Sequence, residues 1–245
     1  VMYQNEAYSY TPYPGCAWTA EGTLRFNNEY LAPTLAKKHP EVDLWIGTFN
    51  TNRLDYVEKI LDDKTLQANI KGIGTQWECR NNLPEMRKRY PNHRFMVSES
   101  ECGNGSMDWK AGEHTFFLLS DNLGNGCDEY YNWNFILKDN GISPWGWTQN
   151  ALIQVDGKNR KMRYTAEYYE YKLFSHFVQE GTQMLGYAGR EYSKTPVVVF
   201  KDKKGQYIVT VGNFTDSDAT LTVKAGKKFL NVKATPHSFN TYTWK

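Results

Sequence analysis

Short apolar runs alternate with stretches of helical period through about residue 180, and after that only short β-like runs remain. The apolar runs predict strands at Val1–Gln4, Val42–Phe49, Ile70–Trp77, Arg94–Glu99 and Asp128–Trp133. Between them, helices are expected from Thr19 to about Lys38, Arg53 to Leu61, Leu83 to Tyr90, Asp108 to Leu123 and Thr165 to Val178. Thr19 is a good N-cap for the first helix, with Leu24, Tyr30, Leu31 and Leu35 on its apolar side and Pro33 kinking or dividing it. Val1–Gln4 runs straight into Asn5-Glu6 with no preceding turn or cap, so the chain is expected to begin in mid-element. Tyr8–Trp18 and the stretch through Trp145, Gly146 and Trp147 read as loops. Five strand-then-helix units are the pattern of a parallel α/β fold, either a barrel or an open sheet. From Gly181 the runs Pro196–Phe200, Tyr207–Val211, Ala219–Val223 and Phe239–Trp244 predict a small antiparallel β domain, giving expected domains 1–180 and 181–245.

The run Arg94-Phe95-Met96-Val97-Ser98 ends abruptly in Glu99-Ser100-Glu101. A strand buried on both faces is apolar throughout, so Glu99 falls where the strand leaves the core. Glu6 ends the first run in the same way. In a barrel of alternating strands and helices, strand ends carry the catalytic side chains.

With 245 residues and 40% apolar content the chain can bury a sizeable core. A formal net charge of +2, with Lys and Arg scattered, gives no nucleic-acid or polyanion partner. No run of about 18 apolar residues exists, so no membrane-spanning helix is expected. Aromatic residues make up 15%, with 17 Tyr and 8 Trp, many beside Asn, Asp and Gly, a composition suited to stacking on sugar rings as well as to a Tyr-rich surface. Cys16, Cys79, Cys102 and Cys127 lack CxxC spacing and paired His, so no metal site or other cofactor is expected. His39, His93, His114, His176 and His237 are isolated, and neither a Gly-rich phosphate loop nor a Ser nucleophile elbow appears. Asn104-Gly105-Ser106 and Asn213-Phe214-Thr215 match the glycosylation acceptor triplet.

Two strand-end carboxylates permit glycoside hydrolysis, in which one carboxyl donates a proton and the other attacks or stabilises the anomeric carbon. In retaining enzymes the pair lies ~5–5.5 Å apart. Asn5 offers an amide to a sugar hydroxyl. Gln76 and Trp77 end the third strand, and Trp133 with Asn134 ends the fifth, adding flat and hydrogen-bonding groups at the same edge.

Gln4-Asn5-Glu6, the loop Tyr13-Pro14-Gly15-Cys16-Ala17-Trp18-Thr19, Gly74-Thr75-Gln76-Trp77, Ser98-Glu99-Ser100-Glu101-Cys102-Gly103 and Tyr131-Asn132-Trp133-Asn134, taken in order, resemble glycoside hydrolase family 30, which includes glucosylceramidases, β-1,6-glucanases and relatives acting on xylan. The resemblance implies a (β/α)8 TIM-type barrel with a β-sandwich side domain and a retaining mechanism acting on a β-glucan or β-glucoside. It implies Glu6 as acid/base and Glu99 as nucleophile, with Glu101 the competitor. Asn5, Gln76, Trp77, Trp133, Asn134 and Trp147 are the implied substrate-binding residues, with no cofactor, and a secreted or periplasmic location. Two departures stand out. Ala7 follows Glu6 where the family usually has Pro. Only the later five barrel strands are accounted for, so a second polypeptide, self-association or a longer parent protein is expected to complete the barrel. The alternative function is a catalytically incomplete carbohydrate-binding or assembly module.

Overall fold

The computed structural model describes residues 1–186, 193–225 and 227–245. Contacts divide the chain into two compact units, Val1–Glu101 with Asn125–Trp133, and Cys102–Gly124 with Asn134–Lys245.

The first unit opens with α1 (Ala20–Arg25), which passes through a π-helical stretch, Phe26–Leu31, into α2 (Ala32–Lys38). Thr19 caps it by accepting the Gly22 N–H at 3.0 Å. The expected break at Pro33 is instead a widened turn just before it, where the Ala32 N–H reaches back to Asn27 O. Proline cannot donate, and its ring crowds the carbonyl one turn earlier. The extra residue rotates the helix face, so Leu24, Leu31 and Leu35 pack on the core while Tyr30, expected beside them, is 52% exposed.

Four parallel strands follow, β1 (Trp45–Phe49), β2 (Gly72–Gln76), β3 (Arg94–Glu99) and β4 (Glu129–Tyr130), paired in the order β1-β2-β3-β4. Each strand pairs with the next in sequence. That progression is the one a barrel uses, whereas a doubly wound sheet reverses at a switch point. β1 and β2 are buried along their whole length. At Gly47, with φ +118°, a Cβ would stand 2.3 Å from Gly74 O, so the strands meet at a distance only glycine permits. The helices α3 (Leu54–Leu61), α4 (Lys64–Asn69) and α5 (Leu83–Arg89) lie between the strands in sequence. Val57, Ile60, Leu61, Leu66, Leu83 and Met86 from them join Ile46, Ile73 and Phe95 in one core. The short helix α4 has no helical-length apolar pattern; the Asp63 carboxylate sets it by accepting the Leu66 N–H at 2.7 Å.

Two expected strands differ. Val1–Gln4 is not a strand, although it runs along β1: Trp45 N–H donates to Val1 O at 2.9 Å, and the Val1 amine to Asp43 O at 2.7 Å. Asp128–Trp133 shrinks to Glu129–Tyr130. Tyr131 N–H still reaches Val97 O at 2.9 Å, but the flanking Asn132 and Asn134 are polar, Trp133 stays 41% exposed, and the ladder stops.

The second unit is larger than the all-β segment expected at 181–245. It also holds α6 (Trp109–Gly124), a three-stranded sheet of β5 (Ile136–Lys138), β6 (Ile153–Asp156) and β7 (Lys161–Tyr164), and α7 (Ala166–Ser175). A four-stranded sheet runs β13-β10-β9-β8, from β8 (Gln183–Met184), β9 (Val197–Lys201), β10 (Tyr207–Asn213) and β13 (Ser238–Trp244). A hairpin pairs β11 (Ala219–Ala225) with β12 (Lys228–Ala234). Val197, Val199, Val209 and Val211 share a core with Val232 and Ala234 of that hairpin. Aromatic packing draws α6 and α7 into the same unit. Phe116 stacks on Phe239 at 5.2 Å and meets Phe174 at 5.4 Å, and Phe174 lies against Phe200. A Cβ on Gly112 would be 2.6 Å from Ala166 Cβ, so the two helices cross closely there.

Asn213 is fully buried and organises the end of β10: its Nδ2 donates to Ser217 O, Ala234 O and Thr235 O at 2.8 to 3.0 Å. With its amide so engaged, this Asn is a structural bracket rather than an accessible glycosylation acceptor. Asn213→Ala strips one buried and two part-buried carbonyls of their donor, and a loss on the order of 2 kcal/mol is expected in chemical denaturation. The same change at exposed Asn104 should be near neutral.

Candidate functional site

The C-terminal edge of the β1-β2-β3 sheet gathers the polar groups of the first unit. Glu99 is the last residue of β3 and is 9% exposed; Glu6 is 8% exposed. The Glu6 N–H donates to Thr48 Oγ1 of β1 at 3.0 Å, and Glu6 sits at φ +48°, in the left-handed region. Ala7 is compatible with that backbone, whereas a proline there would push Glu6 toward an extended φ. Strained backbone at a buried carboxylate is a mark of functional sites.

Gln76, the last residue of β2, donates to Asn5 Oδ1 at 2.8 Å, and Thr48 Oγ1 donates to the same oxygen at 3.3 Å. Asn5 and Glu6 are thus tied to two strands although they lie in no ladder. Gln76 Oε1 is buried without a hydrogen-bond partner, which costs free energy in the folded chain. Trp77, expected as a strand end, instead starts a 3₁₀ turn, Trp77–Asn82, at φ +46°, and its indole N–H donates to Glu99 Oε1 at 3.1 Å.

Tyr13 was not anticipated as a site residue. Its hydroxyl donates to Glu6 Oε2. The phenol pKa is raised by burial, by that hydrogen bond, and by the charges of both Glu6 and Glu99, which places it in the field of the two carboxylates. Its sequence signal was the Pro- and Gly-rich stretch between Glu6 and the Thr19 cap, short enough to fold back over the strand ends. Glu99 is pushed up to about 7, chiefly by burial; the Trp77 hydrogen bond opposes this and the charge of Glu6 adds to it. Two carboxylates that feel each other, one holding its proton near neutrality, can exchange roles as proton donor and anion.

Glu101, the competitor, pairs with Arg80 at 3.8 Å. Trp133 lies outside the hydrogen-bonded set and is 41% exposed. Asn134 and Trp147 belong to the second unit, where Asn134 donates to Gln149 Oε1 at 3.4 Å and Trp147 stacks on Trp145. All four cysteines are free thiols. No cluster that could hold a metal ion occurs among the described residues.

No family model matches the chain. Lysosomal acid glucosylceramidase of Mus musculus is 24% identical over 253 aligned residues, covering 96% of this chain and 48% of that protein. An endo-β1,6-glucanase superposes with a TM-score of 0.87 at 17% identity, covering 99% of this chain and 58% of the other. A glycoside hydrolase family 30 subfamily 8 xylanase of Clostridium acetobutylicum superposes at 0.73 and 15% identity, covering 99% and 65%. The chain is similar in fold to enzymes of glycoside hydrolase family 30. It shares the α/β fold of barrel-type enzymes and spans about half the length of the curated relative it matches.

Proposed function

We propose that this chain carries the two catalytic carboxylates of a retaining β-glycoside hydrolase acting on a β-glucan or β-glucoside. The observation that carries the proposal is the pair Glu6 and Glu99, both buried at one strand edge, with Tyr13 in the field of both. The names of the relatives, a glucosylceramidase and an endo-β1,6-glucanase, support the sugar class. In the first step Glu99 attacks the anomeric carbon, forming a glycosyl ester, while Glu6 gives its proton to the departing glycosidic oxygen. In the second, Glu6 takes a proton from water, the resulting hydroxide attacks the anomeric carbon, and the ester bond to Glu99 breaks. The Trp77 N–H on Oε1 fixes the Glu99 carboxylate and leaves Oε2 to attack.

The higher proton affinity of Glu99 favours the reverse assignment, with Glu99 as donor and Glu6 as nucleophile, because the raised member of such a pair usually supplies the proton. The collinear motifs favour the first. The four paired strands plus the Glu6 segment stand for the later part of an eight-stranded barrel, whose closure needs strand number and tilt to agree. The remaining strands would come from further residues of a longer protein, a second polypeptide or self-association. The side unit would be the family's β-sandwich, with a boundary near residue 180, and Trp133, Asn134 and Trp147 would contribute to sugar binding. A secreted or periplasmic location is part of the same reading. No helix among the described residues is long and apolar enough to cross a membrane.

The test is hydrolysis of a panel of aryl β-glycosides and β-glucans, followed by NMR for the anomer first released. Turnover of β-glucosides with retention supports the proposal. Inversion would overturn the mechanism. Saccharide binding without turnover would instead identify a non-catalytic module.

A further inference from the structure

Tyr169, Lys172, Leu173 and His176 recur along α7 and its C-cap at intervals of three and four, so they share one helix face. With Phe177 that face lines a cavity of about 670 Å³ in the second unit, a size typical of small-ligand sites. Trp109, His237, Ser238 and Phe239 line it as well. Trp109 stands one turn before Gly112, where α6 crosses close to α7. It stacks on Phe239 at 5.0 Å, and Phe239 stacks in turn on Phe116 at 5.2 Å. The platform is thus anchored on a buried ring, yet Trp109 and Tyr169 themselves stay exposed.

The polar side chains of the lining fall into two sets. Ser238 Oγ donates to Thr235 O at 2.6 Å and accepts from the Asn240 amide at 2.9 Å, and the two ring nitrogens of His237 are taken up by Glu113 Oε1 at 2.7 Å and Asp216 Oδ1 at 2.9 Å. The Lys172 ammonium, the Trp109 indole N–H, the Tyr169 hydroxyl and the His176 ring have no hydrogen-bond or ion-pair partner among the described residues. Each of these four can donate, Lys172 and Trp109 can only donate, and no acidic residue lines the cavity. A cation finds no counter-charge there. A neutral sugar, with hydroxyls around its edge, finds few side-chain acceptors. An anion on an apolar body matches both the unused donors and the aromatic and aliphatic walls, and one lysine suits one negative charge. We propose that this cavity binds a carboxylate amphiphile, its apolar chain or ring against Trp109, Leu173, Phe177 and Phe239 and its carboxylate on Lys172. The site lies wholly within the second unit and involves neither Glu6 nor Glu99, so it is independent of the proposed catalysis.

The experiment is isothermal titration calorimetry of the full chain with 2-naphthoate, with its neutral amide 2-naphthamide, and with a β-linked glucose disaccharide. Naphthoate should bind at one site with a dissociation constant below about 1 mM, and the amide about tenfold more weakly. Lys172→Gln should weaken naphthoate about tenfold and leave the amide unchanged, while Lys172→Arg should keep most of the naphthoate affinity. Trp109→Ala should weaken both aromatic probes. Lys172 is exposed, so its variants keep the fold even if loss of the stack on Phe239 makes Trp109→Ala unstable. Equal binding of naphthoate and amide, naphthoate binding that Lys172→Gln leaves unmoved, or no naphthoate binding at all would overturn the proposal. Disaccharide binding that Trp109→Ala abolishes would make this a sugar site instead. A dimer in light scattering that admits no naphthoate would assign the face to a second copy of the chain, and either result overturns the carboxylate reading.

Discussion

Glu99→Gln is expected to lose turnover of every β-glycoside by on the order of 10⁴-fold or more, the scale seen when an essential nucleophile is removed. The amide keeps the size of the side chain and can still accept the Trp77 N–H, so the loss would be chemical rather than structural. Glu6→Ala should behave differently. Substrates with poor leaving groups should slow by roughly 10²–10⁴-fold, the usual worth of general acid catalysis, while aryl glycosides with good leaving groups should be spared. The contrast between the variants separates the two assignments. If Glu99→Ala spares activated substrates and Glu6→Ala does not, Glu99 is the proton donor. Loss on Glu101→Gln with Glu99→Gln active would transfer the role to the partner of Arg80.

The second large effect concerns stability. Glu170 of α7 is completely buried, and neither carboxyl oxygen has a hydrogen-bond partner of normal geometry, although the Phe116 backbone weakly favours the charged form. Burial first, and the nearby charge of Glu167 second, raise its pKa well above the ordinary 4.5. The folded chain therefore keeps a proton that the unfolded chain releases, and stability falls as the pH rises above about 4.5. Glu99 contributes in the same direction between about 4.5 and 7. Glu170→Met, similar in size and without charge, is expected to stabilise the chain by on the order of 2 kcal/mol at pH 8 and by much less at pH 5. Denaturant melts at the two pH values check this. A variant equally destabilised at both would mean that the carboxyl is satisfied in the folded chain.

Much of the first unit was legible because buried parallel strands announce themselves: Trp45-Ile46-Gly47-Thr48-Phe49 is buried along its whole length, and Phe95 and Val97 of β3 sit in the core while Met96 is half-buried. Elements held by pairing rather than burial were not legible. Lys161–Tyr164 is exposed at every position and becomes a strand only through its ladder with β6. Lys228–Ala234 exposes Phe229 and two lysines, yet pairs along its whole length with β11. The grouping of α6 with the β strands depends on Phe116 meeting Phe174 and Phe239, contacts between residues far apart in sequence. At the site, the carboxylates were visible as strand-end acids, and the groups that tune them were not. Tyr13 reaches Glu6 through a loop closed by a set of tertiary hydrogen bonds, and Trp77 reaches Glu99 because its backbone turns left-handed instead of extending the strand.

The central claim is that Glu6 and Glu99 act as a retaining pair with Glu99 forming the covalent bond. The direct measurement is to incubate the chain with a 2-deoxy-2-fluoro-β-glucoside bearing a good leaving group. The electronegative fluorine slows breakdown of the glycosyl ester, so the ester accumulates, and peptide mass spectrometry locates it. The account predicts a fluoroglucosyl adduct on the carboxyl of Glu99. An adduct on Glu6 or Glu101, or continued turnover with no adduct, would contradict it.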